Sequence, residues 1–215
     1  YVSRGAYKLA GALDALGEKA PLIEGRRCLD AGASTGGFTD VLLRRGAASV
    51  VAVDVGYGQL AWKLQSDPRV EVHDRTNVRT LDPASVAPAP GLVVGDMSFI
   101  SLTLVLPALV GAAAPDADFL LMVKPQFEIG KERLGHGGVV RNPEHHVETV
   151  DNVARCAMGL GLDIAAIAAS PLPGPSGNVE YFLFMRRAYP DPIKADELTD
   201  YIRRAVAEGP AGRKS

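Results

Sequence analysis

The chain has 215 residues, of which 47% are hydrophobic and 22% charged, and its net charge at neutral pH is −2. Length and composition suit one α/β domain with a sizeable core. The near-balanced charge excludes a uniformly polycationic surface, so any contact with nucleic acid must come from a local basic patch.

In chain order, Tyr1-Val2-Ser3-Arg4-Gly5 carries no initiator Met and reads as a cut into a longer protein. Ser3 is placed to cap a helix from Gly5 to Leu16, whose Leu9, Leu13 and Leu16 share one face. Arg27 to Ala31 is a short apolar run ending in a glycine-rich turn, and Phe38 to Arg45 reads as helix. Ser49 to Val55 is β-branched and continuous, as a buried parallel strand should be. A short helix over Leu60 to Leu64 precedes strands at Val70 to His73 and Leu92 to Gly95. Leu102 to Ala113 reads as a core helix. The apolar stretch Leu102 to Pro115 contains Pro107 and is too short to span a bilayer. Phe119 to Val123 is a fifth strand, followed by a glycine-rich segment from Lys124 to Asn142.

Pro143 opens a helix capped by Asn142, with Val147, Val150, Ala154 and Ala157 on one face. Ile164 to Ala169 and Glu180 to Met185 are closing strands, and Asp196 to Ala207 a terminal helix. Strands alternating with helices predict a mostly parallel, doubly wound sheet with helices on both faces. Cys28 and Cys156 form no CxxC pair, which disfavours a disulfide framework or zinc site and fits a reducing, cytoplasmic compartment. No charged-then-apolar signal segment opens the sequence.

The turn Asp30-Ala31-Gly32-Ala33-Ser34-Thr35-Gly36-Gly37-Phe38 follows a strand and enters a helix, and its small residues let backbone approach a ligand. Ser34 stands where a dinucleotide loop carries its middle glycine, which makes room for a pyrophosphate; this disfavours NAD or FAD and an oxidoreductase. S-adenosylmethionine has no pyrophosphate. Asp54, 22 residues after Gly32, ends the next strand, where a carboxylate can accept from both ribose hydroxyls of an adenosine. A tight turn that binds nothing is the plainer alternative.

Asp96 and Lys124 follow apolar strands and so face the crevice that the turn faces. Glu180 reaches it only if its strand is antiparallel. Lys8 lies on the first helix. Two lysines and two acids suit methylation of a ribose 2'-hydroxyl, where the oxygen must be aligned with a sulfonium methyl and lose its proton. Lys124 is the chosen base, Asp96 and Glu180 orient the lysines and the hydroxyl, and Lys8 helps hold the ribose. Each has a duller reading: a solvated lysine, an aspartate capping the next helix, a surface strand glutamate.

Ser3-Arg4-Gly5-Ala6-Tyr7-Lys8-Leu9, the turn Asp30 to Phe38, Gly95-Asp96-Met97-Ser98-Phe99-Ile100-Ser101, Val123-Lys124-Pro125-Gln126-Phe127-Glu128 and Gly174-Pro175-Ser176-Gly177-Asn178-Val179-Glu180 together resemble the TlyA family. These are bacterial ribosomal RNA 2'-O-methyltransferases, also labelled hemolysins, with a domain similar to the FtsJ (RrmJ) methyltransferases. The resemblance implies a Rossmann-like fold with a seven-stranded sheet whose last strand is antiparallel, and a catalytic tetrad at Lys8, Asp96, Lys124 and Glu180. It implies S-adenosyl-L-methionine as cofactor, held by Asp30, Gly32, Ala33, Ser34, Thr35, Gly36, Gly37, Phe38, Asp54 and Asp96. The implied substrates are cytidine riboses of 16S and 23S ribosomal RNA in ribosomal subunits, with loss of activity linked to capreomycin resistance. Family members usually carry a small RNA-binding domain before the methyltransferase. Residues 1–215 are therefore expected to be the FtsJ-like domain, with residues 1–4 the end of a linker.

Arg4, Arg75, Arg79, Lys131, Arg133 and Arg141 are candidates for gripping phosphates around the target ribose. Gly130, Gly135, Gly137 and Gly138 would let their segment close as a lid, against the alternative of a floppy loop with ordinary solvated charges. Phe127 or Phe99 could stack on a base, although core packing is the expectation for Phe99. His145 and His146 have no partner at metal-ligand spacing, so no metal is expected. The competing function is a membrane-active cytolysin, disfavoured by the lack of a signal peptide, an apolar span and a strongly amphipathic basic helix.

Overall fold

The computed structural model describes residues 1–213. One seven-stranded sheet runs in the order β3-β2-β1-β4-β5-β7-β6. Its strands are β1 (Arg27–Ala31), β2 (Ser49–Val53), β3 (Val70–His73), β4 (Leu92–Gly95), β5 (Asp118–Val123), β6 (Asp163–Ala169) and β7 (Tyr181–Arg186). β1 to β5 pair in parallel, while β7 is antiparallel to both β5 and β6. The Rossmann-like expectation, including the reversed last strand, matches this arrangement.

Successive strand residues point to opposite faces, and the core divides accordingly. Leu29, Val51, Val93, Phe119, Leu121 and Leu183 face a layer formed by α4 (Leu102–Ala112), α5 (Pro143–Gly159) and α6 (Leu198–Glu208). Cys28, Val50, Val94, Leu120, Met122 and Phe182 face α1 (Gly5–Leu16), α2 (Gly37–Arg44) and α3 (Trp62–Gln65). Because both faces are covered, the strands read as continuous apolar runs rather than alternating ones.

Several boundaries move, mostly by a residue or two. β2 stops at Val53, because Asp54 already turns its carboxylate onto the backbone of the glycine turn. Leu60 and Ala61 precede α3 instead of opening it. Ser3 does not cap α1 with its hydroxyl: Arg4 is the capping position without a side-chain bond, and Ser3 offers only its backbone carbonyl to the Ala6 N–H. Asn142 caps α5 as expected, accepting from Glu144 N. Asp96 is not the cap of α4. Ser101 fills that place, and Glu128 receives both Leu102 N and the Ser101 hydroxyl.

Candidate active site

The glycine turn links β1 to α2 and is shaped by what a Cβ would hit. At Gly32, with φ of +80°, a Cβ would lie 2.8 Å from the Asp96 carbonyl oxygen, so only glycine lets the turn press against the end of β4. At Gly37 a Cβ would stand 2.6 Å from Ala6 N, so the start of α1 rests directly on the turn. Ser34, at φ +53°, donates its N–H to Asp54 Oδ2 at 2.8 Å, and Gly56 N donates to Oδ1 at 2.8 Å. Asp54 therefore first organises the turn, and each oxygen keeps a further acceptor direction.

Asp30 is fully buried at the root of the turn. Its Oδ2 accepts from the Thr39 hydroxyl at 2.7 Å, and its Oδ1 has no partner. Burial pushes its carboxyl up to about 7 against the opposing Thr39 bond. Ala33 is buried and Ser34 and Thr35 are exposed along the turn. Phe38 departs from expectation. Its ring is buried and stacks on Phe182 at 6.2 Å, so it builds the core under the turn.

The four polar residues meet at one sheet edge. Val123 pairs with Tyr181 across the antiparallel β5–β7 ladder, which sets Lys124 opposite Glu180. Glu180 stands one residue before β7 rather than opening it, and is completely buried. Its Oε1 accepts from Lys8 Nζ at 2.9 Å and its Oε2 from Gln126 Nε2 at 2.9 Å. Lys124 Nζ lies 2.5 Å from Asp96 Oδ1, a close ion contact off the hydrogen-bond direction, and donates a directed hydrogen bond to Ser98 Oγ at 2.9 Å. Both lysines are buried, so each charge has the partner that burial demands. A Cβ at Gly5 would stand 3.9 Å from Asp96 Oδ2, so α1 brings its first turn to this pair as well.

Beside these pairs opens a cavity of about 930 Å³ lined by Ser98, Phe99, Lys124, Gln126, Lys131 and Glu180, among others. Phe99 is not a core residue. It is 89% exposed at φ +64°, with its ring 4.9 Å from that of Phe127. Sequence alone did not reveal this because an aromatic after an apolar strand ordinarily packs inward.

The glycine-rich segment is neither helix nor featureless loop. It forms short 3₁₀ turns at Pro125–Phe127, Lys131–Arg133 and His136–Gly138. Asn178 fastens its far end, accepting from Val140 N at 2.9 Å and donating to the Gly138 carbonyl at 2.8 Å. Buried His146 bridges the Val140 carbonyl and the Tyr181 hydroxyl, each at 2.8 Å, and burial lowers its pKa.

Of the candidate phosphate ligands, Arg79 and Lys131 line the cavity. Arg75 lies over the Tyr57 ring at 4.5 Å, and Arg4 is exposed at the start of α1. Arg133 pairs with Glu148 at 2.6 Å and Arg141 donates to the His136 carbonyl, so both are engaged elsewhere. Among the described residues no group of three His, Cys, Asp or Glu could hold a metal. Ser98, Gln126 and Asn178 carry the contacts that sequence reasoning missed. The one legible signal was Ser98, two residues after Asp96 and thus on the same side of an extended chain.

The FtsJ-like methyltransferase family matches residues 1–187. The chain is 59% identical over 210 residues to the 16S/23S rRNA (cytidine-2'-O)-methyltransferase TlyA of Mycobacterium tuberculosis, covering 98% of this chain and 77% of that protein. A solved structure of a hemolysin-named protein from Streptococcus thermophilus superposes with a TM-score of 0.87 at 37% identity, over 97% of this chain and 75% of that one. An S-adenosylmethionine-dependent methyltransferase from Mesorhizobium loti shares the fold at a TM-score of 0.59 and 14% identity, over 84% of this chain and 98% of that one. The chain is a methyltransferase that belongs to the FtsJ-like family, in its TlyA branch.

Proposed function

We propose that the chain transfers a methyl group from S-adenosylmethionine to the 2'-hydroxyl of cytidine riboses in 16S and 23S ribosomal RNA within ribosomal subunits. The observation that carries this reading is the convergence of two amine–carboxylate pairs built on buried lysines, Lys8–Glu180 and Lys124–Asp96, beside the glycine turn. The name of the Mycobacterium tuberculosis relative supports the substrate.

The residues of the turn fit the cofactor. Asp30 Oδ1 is a buried acceptor without a partner, suited to the ammonium end of an amino acid, directly or through water. Asp54 keeps acceptor capacity for a ribose diol, and the backbone from Gly32 to Gly37 supplies the close approach. When bound, S-adenosylmethionine supplies an already activated methyl group. The protein's own part is to orient the hydroxyl and take its proton.

In this reading Lys124 accepts the proton, Asp96 and Glu180 hold the two amines, and Lys8 positions the ribose. Phe99 offers an exposed face to a base. Arg4, Arg75, Arg79 and Lys131 meet phosphates, and Arg133 joins them only by leaving Glu148. An RNA-binding module upstream of residues 1–4, a cytoplasmic location and capreomycin resistance on loss of activity belong to the same proposal. A membrane-active cytolysin gains nothing from this site, and among the described residues no helix is long and apolar enough to cross a membrane.

The test is transfer of tritiated methyl to purified ribosomal subunits by wild type and by Lys124→Ala. Label in alkali-resistant dinucleotides with wild type, and none with the variant, is expected. Equal labelling by both overturns the assignment of Lys124, and no labelling of RNA by wild type overturns the substrate.

A further inference from the structure

A lysine that acts as a base must be neutral, and its single lone pair must point at the proton it removes. A neutral amine has two N–H bonds. With the carbon stem in one tetrahedral direction and a fixed acceptor taking a second, the lone pair is confined to the two that remain, and a carboxylate beside one of them repels it toward the other. With no acceptor the amine rotates about its stem and the lone pair sweeps an arc.

Lys124 has one directed acceptor and one carboxylate in close contact. Asp96 Oδ1 is 2.5 Å from its Nζ and Ser98 Oγ is 2.9 Å away. They belong to one short stretch, Asp96-Met97-Ser98, whose first and third side chains both reach Nζ while Met97 between them is buried in the core. The stem of Lys124 is fixed by burial and by β5, which ends one residue earlier. Ser98 is exposed and lines the cavity, so the remaining direction at Nζ lies next to the space a substrate hydroxyl would enter. The exposed ring of Phe99 follows immediately.

We infer that Ser98 is a positioning residue for the base: it takes one N–H bond of neutral Lys124, the Asp96 carboxylate beside the amine repels the lone pair, and the lone pair is left aimed into the cavity. The substrate O–H bond then breaks toward Nζ, a new N–H bond forms, and the oxygen keeps the electron pair with which it would take the methyl group of bound S-adenosylmethionine, whose sulfur would keep the electrons of the broken S–C bond. The inference rests on Lys124 being the base. It adds a residue outside the four polar groups, and one that touches the lysine rather than the reacting atoms.

The experiment compares wild type, Ser98→Ala, Ser98→Thr and Lys124→Ala in the full-length protein, with ribosomal subunits as substrate. Ser98→Ala is expected to lower kcat by about tenfold or more with KM for RNA and S-adenosylmethionine little changed. The pH–rate limb, along which activity rises as the amine becomes neutral, should also move to lower pH, because the charged amine loses an acceptor it uses more strongly than the neutral one does. Ser98→Thr keeps the hydroxyl at an exposed position and should restore both. If Lys124→Ala is inactive while Ser98→Ala keeps the wild-type kcat and pH limb, the role of Ser98 falls and the base stands. If Lys124→Ala stays active, the underlying assignment of the base falls instead. A loss in Ser98→Ala that appears only in KM, or that Ser98→Thr does not restore, also overturns the inference.

Discussion

Val123 faces Tyr181 across the antiparallel pairing of β5 with β7, and this register places Lys124 and Glu180 on a shared edge. In a sheet whose last strand ran parallel, Glu180 would lie at the opposite end of the strands from Lys124. The reversal therefore decides whether a fourth polar residue can join the site.

Gly174 should be intolerant of even one methyl group. A Cβ there would stand 2.8 Å from Glu180 Oε2, and Glu180 is already held by Lys8 and Gln126. Gly174→Ala is expected to cost about 1–3 kcal/mol in stability from overpacking. It should also displace Glu180 and lower methyl transfer more than the stability change explains. Urea unfolding alongside the tritium assay checks both, and wild-type activity in a folded variant would contradict the contact.

Under the proposed function the unpartnered oxygen of Asp30 should make cofactor affinity depend on pH. Its carboxyl titrates near 7 in the folded protein against an ordinary value of 3.8, raised chiefly by burial. Below pH 7 the group is neutral and offers less to an ammonium. Binding of S-adenosylmethionine should therefore tighten as pH rises through about 7, with Asp30→Asn removing the dependence, as titration calorimetry would report. For stability the sign is opposite. A carboxyl raised on folding favours the folded state fully below its unfolded value, and that contribution is lost as pH climbs toward 7. Without ligand, wild type should lose stability relative to Asp30→Asn across that window.

Phe99 holds a left-handed backbone that a bulky side chain rarely adopts, at 89% exposure. Such strain costs of order 1–3 kcal/mol. Phe99→Gly should then be at least as stable as wild type, while losing RNA affinity by the ~1–3 kcal/mol typical of one aromatic–base stack. Filter binding with ribosomal RNA and thermal melts measure the two effects. A variant that is destabilised but binds normally would make Phe99 a packing residue after all.

Asn178 ties the glycine-rich segment to the loop that carries Glu180. Asn178→Ala removes both amide bonds and leaves Val140 N and the Gly138 carbonyl to find new partners, at a cost of roughly 1–3 kcal/mol for each buried group left unsatisfied. Faster hydrogen exchange at residues 130–140, with unchanged binding of S-adenosylmethionine, is the expected signature. Unchanged exchange there would show that His146 alone anchors the segment.

The fold was largely readable because its strands are buried on both faces and announce themselves as apolar runs, and because glycine turns and helix caps mark the joints. Lys8, Asp96, Lys124 and Glu180 were legible through motif resemblance and strand-end position. What escaped depended on three-dimensional neighbours. Phe38 sits in a motif yet faces the core, since Phe182 from a strand 144 residues later packs on it. Phe99 sits beside an apolar strand yet faces out, since a positive φ turns it. Gln126 and Asn178 gain their roles only after β7 has been inserted between β5 and β6.

That insertion has a temporal meaning. Lys8 precedes its partner Glu180 by 172 positions, and Glu180 leads into β7, the arm of the β6–β7 hairpin that pairs with β5. A chain in which β7 has not yet paired with β5 would hold the glycine turn without the Lys8–Glu180 pair, so under the proposed function methyl transfer would await completion of the sheet.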